Sequence, residues 1–517
     1  MEKSKRLYII GAGFAGRTLA SEIKSKAIFG EVVAFLDDDP EKIGKKVDGI
    51  PVLGPIRDVA LLLKTNPADE AIIAIPSASK EYLKELYSIL KKANFQKIRI
   101  LPGISQIVEG DAHFIQTRSI DLQDLLGRNP VTIKLKQSLS YVRGKRVLVT
   151  GAGGSIGSEL CRQLLAGGVS RLYLLGHGEN SIYLIDKELR LLQDEGVGEK
   201  TAIVPVIGDL KDTDFVDYIL SHLKADAIFH TAAYKHVPMM EENPVAAIEN
   251  NVIGTENLIN SAVKQGVKHF VHISTDKAVD PVSVYGASKN ICEQLVLSAS
   301  ANSQKGGTNF VVVRFGNVLG SRGSIVPLFQ QQIEKGGPVT VTHPDARRFF
   351  MTISEACSLV LKTGGVGENG CLYLLDMGEP VRIRDLAEQL IRFRGYEPET
   401  EIKIEYIGLR PGERLDETLI SKDEEQTQTE FDRVLKVTKK NNVVLDTKKL
   451  VDDLRPICKF DSANPKVYRS IETLRAVLDD YGILESEKSI KSSYHEPHEP
   501  HEPARTKKDL SLTLISA

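Results

Sequence analysis

The chain has 517 residues, with 67 Lys and Arg against 69 Asp and Glu and a formal net charge of -2. That near-balance, with basic residues spread along the chain, leaves no nucleic-acid footprint. The length predicts two or three domains with sizeable cores, and no apolar run approaches the ~20 residues a membrane span needs.

The predicted elements begin with Leu7–Ile10, an apolar strand, followed by Gly11-Ala12-Gly13-Phe14-Ala15-Gly16 opening a helix. Val32–Leu36 leads to Asp37-Asp38-Asp39, and Ala71–Ile75 leads to Pro76-Ser77. This is a βαβ nucleotide-binding pattern whose acidic strand end suits ribose hydroxyls. It is either a regulatory nucleotide or nucleotide-sugar site, or a scaffold that has lost its ligand. The expected extents are 1–118 for this Rossmann-like unit and 119–143 for a connector. A catalytic unit follows over 144–484, then a disordered tail over 485–517.

The second unit opens with the strand Val147–Thr150, the turn Gly151-Ala152-Gly153-Gly154-Ser155-Ile156-Gly157, and a helical pattern through Leu160, Leu164 and Leu165. Glycines in a strand–turn–helix let backbone approach a pyrophosphate seated on the helix N-terminus. Gly151, Gly154, Ser155, Ile156 and Gly157 are therefore candidate cofactor contacts. Further strands are predicted at Arg171–Leu175, Ile203–Ile207 and Ala227–His230. The small Ala232 and Ala233 let a dinucleotide pass the fourth strand, and Asp209 with Leu210 closes the third. Asp209 either accepts from an adenine amine or caps the next helix. No acid stands at the tip of Arg171–Leu175. Glu179, slightly beyond, is the candidate for the ribose, and NAD or NADP remain equal alternatives.

Val271–Ile273 is a strand closing in Ser274-Thr275-Asp276-Lys277, and Tyr285 to Ser298 is a predicted helix. Tyr285 and Lys289 are four apart and share a face. An ammonium near a phenol lowers its pKa, which suits removal of a hydroxyl proton while hydride leaves the same carbon. Arg314 and Asn317 follow the strand Phe310–Val313, and Gly320–Ser324 is a flexible loop with backbone donors. Arg347, Arg348 and Arg410 offer guanidinium groups that match phosphate.

The chain from about Ser119 to Leu419 resembles the polysaccharide-biosynthesis (CapD-like) nucleotide-sugar 4,6-dehydratases, within the extended short-chain dehydrogenases. The matching runs are Ile120–Arg128, the glycine turn, Gly176–Ser181, Ala232–Pro238, Ser274–Val279, Tyr285–Lys289, Arg314–Val318 and Arg410–Glu413. The resemblance implies an α/β fold of two Rossmann-like, doubly wound parallel-sheet domains, the second bearing a smaller α/β substrate subdomain. It implies a tightly bound NAD or NADP regenerated each cycle. UDP-N-acetylglucosamine is the implied substrate, and a UDP-4-keto-6-deoxy-N-acetylhexosamine the product.

In that scheme Tyr285 takes the C4 hydroxyl proton, and Lys289 holds the nicotinamide ribose and tunes Tyr285. Thr275 bonds the C4 oxygen. Lys277, its pKa lowered by burial and nearby positive charge, removes the C5 proton. Asp276 protonates the departing C6 hydroxyl. Lys235, Asn317, Arg348, Arg410 and Glu413 are the implied substrate contacts. Long members of the family often have Met where this chain has Tyr285, so retention or inversion at C5 stays open. A UDP-sugar 4-epimerase and a non-catalytic nucleotide-sugar sensor are the competing readings.

Cys161, Cys292, Cys357, Cys371 and Cys458 show neither CxxC nor metal-ligand spacing, so no metal site is expected and a reducing cytoplasm is. No signal peptide is expected, because Lys3, Lys5 and Arg6 lead straight into a short strand. A homo-oligomer built on paired helices is the family expectation, and docking on membrane glycosyltransferases is compatible with it. The His-Glu-Pro repeat from His495 to Pro503 forbids a helix and predicts an extended tail.

Overall fold

The structure, a computed structural model, describes residues 5–26, 30–75, 78, 80–95, 97–100, 118–119, 139–302, 307–394, 396–440 and 445–484. The Ile120–Arg128 run, most of the connector and the tail from 485 lie outside the described residues.

The first sheet has the order Glu31–Leu36, Arg6–Ile10, Glu70–Ile73, Lys97–Ile100, Arg118–Ser119. Its first four strands are parallel, and the last pair is antiparallel. Successive residues of Arg6–Ile10 enter opposite cores, Leu7 and Ile9 on one face and Tyr8 and Ile10 on the other. A strand covered on both sides reads as a continuous apolar run. The expected boundary at 118/119 falls inside the Arg118–Ser119 strand.

The second sheet has nine strands, and its first seven run parallel. Their order is Ala202–Ile207, Arg171–Gly176, Arg146–Thr150, Ala227–His230, His269–Ile273, Asn309–Arg314 and Cys371–Leu375. Val434–Lys439 and Glu424–Gln428 continue it antiparallel. Strand order reverses beside Arg146–Thr150, and the crevice at the carboxyl ends there is where such sheets bind ligands. The core already includes Leu139 and Val142, and Tyr141 donates to Leu361 O at 2.8 Å, so the packed unit starts before 144.

A third core, formed by Leu319, Phe329, Val341, Phe350, Leu386 and their neighbours, builds the subdomain after the sixth strand. The helices Thr447–Cys458 and Ile471–Asp480 bury Leu450, Leu454, Leu474 and Leu478 in one core with Ile291 and Leu295 of the helix Val284–Asn302.

Arg314 ends the sixth strand and is buried within the protein. Its guanidinium is 1% exposed and makes paired hydrogen bonds to Glu293 (3.0 and 2.7 Å) and Glu424 (2.7 and 3.1 Å). The triad joins the sixth strand, the Tyr285 helix and the C-terminal strand pair.

Candidate active site

The glycine turn has the geometry of a diphosphate cradle. Gly151 has φ +65°, and a Cβ there would stand 2.8 Å from the backbone of Ala232, at the end of the neighbouring strand. A Cβ on Gly157 would stand 2.2 Å from Gly151 O, so only glycine lets the helix Ser155–Ala166 start this close to the turn. Gly154 precedes that helix, and its N–H donates to Gly151 O at 2.8 Å. Ile156 packs against the core beneath. These residues fit a dinucleotide.

Around the turn, Ala232 N–H lies 3.4 Å from Thr150 Oγ1, and Ala233 is half-buried. Glu179 is exposed in the first turn of Glu179–Asp194. Asp209 accepts from Lys211 N–H at 3.0 Å, and the next helix is capped instead by Asp212, through Phe215 N–H at 3.0 Å. Leu210 is buried, and its carbonyl accepts from Asn257.

The loop that the sequence marked as flexible docks on this turn. Arg322 N–H donates to Ser155 Oγ at 3.0 Å, and its guanidinium donates to Gly153 O at 2.8 Å. Lys235 Nζ donates to Arg322 O at 3.0 Å. Arg322 was not singled out from sequence. Its signal was an arginine flanked by Gly320 and Gly323, both at positive φ.

Thr275 caps a single helical turn, Asp276–Ala278, and its hydroxyl donates to Asp276 Oδ1 at 2.9 Å. Lys277 Nζ lies 3.1 Å from Asp276 Oδ1, 3.3 Å from Glu417 Oε1 and 3.4 Å from Asn317 Oδ1. Asp276 is fully buried, and its Oδ2 has no partner among the described residues. Burial pulls the Lys277 pKa down, but the Asp276 and Glu417 carboxylates outweigh it and hold it above the ordinary lysine value. The expected lowering of this lysine is thus corrected: its nearest charges are negative.

Tyr285 needs a similar correction. Burial pushes its phenol up to about 12, with Lys277 and a hydrogen bond to Thr275 pulling the other way. Lys289 does not tune it. Lys289 Nζ turns to the strand, donating to Ile273 O at 2.7 Å and meeting His272 Nε2 at 2.9 Å. Burial lowers the Lys289 pKa.

Glu417 is a site residue missed from sequence. Its carboxylate is 5% exposed and bridges Lys277 to Arg348, whose Nε lies 3.7 Å away. Arg348 also donates to the carbonyls of Arg347, Leu415 and Arg414, so it clamps the 414–417 segment. The signal for Glu417 was a second glutamate four residues past Glu413. A cavity opens here, lined by Lys277, Val282, Ser283, Gly412, Arg414 and Glu417. Arg410 is exposed, and Arg410 N–H lies 3.3 Å from Glu413 Oε2, so this pair shapes the rim loop.

In the first unit, Asp37 Oδ2 accepts from Ala12 N–H of the glycine turn at 2.7 Å, and Lys42 pairs with it at 3.3 Å. Asp38 accepts from Ile56 N–H and from Tyr82 OH, both at 2.8 Å. The acids expected to face a ribose are engaged by the protein itself.

A parallel sheet with a glycine cradle at its switch point and a Tyr/Lys helix beside it defines the extended short-chain dehydrogenase class. The solved structure of Pen from Bacillus thuringiensis shares the fold, at 32% identity and a TM-score of 0.53 over 59% of this chain and 90% of that one. Residues 147–439 match the family described as polysaccharide biosynthesis protein, and residues 2–102 match a CoA-binding domain.

The chain belongs to the CapD-like polysaccharide biosynthesis protein family. It is 41% identical to the capsular polysaccharide biosynthesis protein CapD of Staphylococcus aureus, over 87% of this chain and 74% of that protein. It is 32% identical to a UDP-N-acetylglucosamine 4,6-dehydratase (inverting) of Campylobacter jejuni, over 56% of this chain and 81% of that one. A UDP-glucose 4-epimerase of Rickettsia canadensis is 34% identical, over 54% and 79%. Among the described residues no helix is long and apolar enough to cross a membrane.

Proposed function

We propose that the chain is a nucleotide-sugar 4,6-dehydratase acting on UDP-N-acetylglucosamine. The observation that carries this reading is the Asp276–Lys277 pair, an acid and an amine 3.1 Å apart at the strand end, beside Tyr285 and Thr275. Loss of water across C5–C6 requires one group to take a carbon-bound proton and another to protonate a leaving hydroxyl. C4 epimerisation requires neither. The similarity to a UDP-glucose 4-epimerase favours that second reading, since it would share the cofactor cradle and the Tyr285–Lys289 pair.

A nicotinamide dinucleotide, NAD or NADP, held by Gly151, Gly154, Ser155 and Gly157 would accept hydride from C4, return it at C6, and favour the Tyr285 phenolate through its positive ring. Tyr285 takes the C4 hydroxyl proton, helped by Thr275 and by the Lys277 ammonium. The C4 ketone makes the C5 proton acidic. Lys277 must shed its extra proton before taking that one, and Glu417 Oε1 at 3.3 Å is the acceptor in place. Asp276, the carboxylate paired with Lys277, first gains the proton that Tyr285 takes from C4, relayed by the Thr275 hydroxyl 2.9 Å from Asp276 Oδ1. Its Oδ2, without a protein partner among the described residues, passes that proton to the departing C6 hydroxyl. Asn317 and Arg348 hold this cluster, while Arg410, Glu413 and Lys235 border the path to the diphosphate.

The test is incubation of the purified chain with UDP-N-acetylglucosamine in deuterated water, read by mass spectrometry and NMR. Loss of one water with deuterium at C5 supports the dehydratase. An unchanged mass with a C4 epimer supports the epimerase instead.

A further inference from the structure

Three neighbouring parallel strands carry a row of buried polar side chains across the middle of the second sheet. Thr150, His230 and His272 occupy matched register positions on Arg146–Thr150, Ala227–His230 and His269–Ile273. All three are at most 1% exposed. Thr150 Oγ1 lies 2.7 Å from His230 Nδ1, and His230 Nε2 lies 2.8 Å from Thr255 Oγ1. The His230 and His272 ring centroids are 5.1 Å apart. The row begins one residue before the glycine turn and ends at Lys289, whose Nζ lies 2.9 Å from His272 Nε2.

An ammonium has three donors. Two of those on Lys289 are taken by Ile273 O and His272 Nε2, which leaves one for a ligand. A buried lysine with a single acceptor is under-satisfied and tends to lose its proton or leave its position. The second acceptor must not be a carboxylate. A full negative charge would trap the ammonium in an ion pair, as Asp276 and Glu417 trap Lys277. A neutral imidazole supplies a lone pair without that charge. Burial, then Lys289 and His230, keep His272 well below the ordinary histidine range, so the ring stays neutral at physiological pH.

We infer that His272 is a positioning residue that fixes the Lys289 ammonium, through Nε2, for the nicotinamide-side ribose of the cofactor. This rests on the reading that the glycine turn holds a nicotinamide dinucleotide. The ring does not touch the ligand. It acts through Lys289, so only ligands that carry the second ribose should register its loss.

The experiment uses the full chain stripped of nucleotide and three proteins: native, His272→Leu and His272→Gln. Leucine removes the acceptor, and glutamine Oε1 restores one close to the Nε2 position. Binding of NADH, NADPH and ADP is titrated by fluorescence or calorimetry, with the thermal midpoint of each variant recorded.

The expected result is about a tenfold loss of reduced dinucleotide affinity in His272→Leu, the scale of one charge-assisted hydrogen bond. His272→Gln should stay within about threefold of native, and ADP should bind all three alike. The inference is overturned if His272→Leu binds dinucleotide as native does. It is equally overturned if glutamine fails to rescue, or if ADP affinity falls in parallel. If the native chain binds neither NADH nor NADPH, the cofactor reading itself fails, and this assignment with it.

Discussion

Glu417 Oε1 lies 3.3 Å from Nζ of Lys277 and 3.7 Å from Nε of Arg348. One buried carboxylate therefore faces both the amine proposed to act at C5 and an arginine on a separate strand. Glu417→Gln removes the charge and keeps the shape. If Glu417 receives the Lys277 proton, kcat should fall about a hundredfold while UDP affinity changes less than about threefold. The limb of the pH–rate profile that rises as Lys277 gives up its proton should move to lower pH, because Lys277 loses a carboxylate that raises its pKa. A kcat within threefold of native would remove Glu417 from the mechanism.

Tyr285 provides a pH signature of folding. Its folded phenol is pushed up to about 12, above the ordinary tyrosine value of about 10. The unfolded state loses its proton first as pH rises. The stabilisation is therefore complete below about pH 10 and is lost as pH climbs toward 12. At pH 11 the loss is on the order of 1 kcal/mol. Urea unfolding of native and Tyr285→Phe protein at pH 8 and pH 11 should show the stability difference shifting by about that amount in favour of the phenylalanine variant.

The Arg314 triad should be fragile to truncation of either acid. Glu424→Ala or Glu293→Ala leaves a buried guanidinium half-neutralised, a loss of about 3–5 kcal/mol. The two substitutions share one partner, so their effects should not add. Denaturant unfolding of both single variants and the double variant measures this. Near-additive losses would show that Arg314 is not the link between them.

Gly157→Ala tests the cradle directly. Its new methyl would lie 2.2 Å from Gly151 O, which is backbone and cannot turn aside. The turn must open, and dinucleotide affinity should fall at least about tenfold. Unchanged NADH and NADPH titrations would move the cofactor site elsewhere.

The sheets were legible because strands buried on both faces read as plain apolar runs, and Val147–Thr150 followed by its glycine turn is such a run. The Tyr285 helix was legible from its spacing, and the structure extends it to Val284–Asn302. Spacing shows that Tyr285 and Lys289 share a face, but it says nothing of where a long flexible side chain ends. Lys289 turned to the strand and left Tyr285 to Thr275 and Lys277. The direction of the Lys277 shift was missed for a similar reason. Its partner Glu417 is 140 residues away in sequence, and only folding brings the two together. The role of Arg314 was not legible, because a basic residue at a strand tip looks the same whether it meets a ligand or two buried acids.

The Arg314 triad also sets an order on synthesis. Glu293 and Arg314 emerge together, but Glu424 follows Arg314 by 110 residues. Until that acid leaves the ribosome, the sixth strand carries a guanidinium with half its acceptors missing. The second unit therefore cannot complete its buried charge pairing until the C-terminal strand pair has been made.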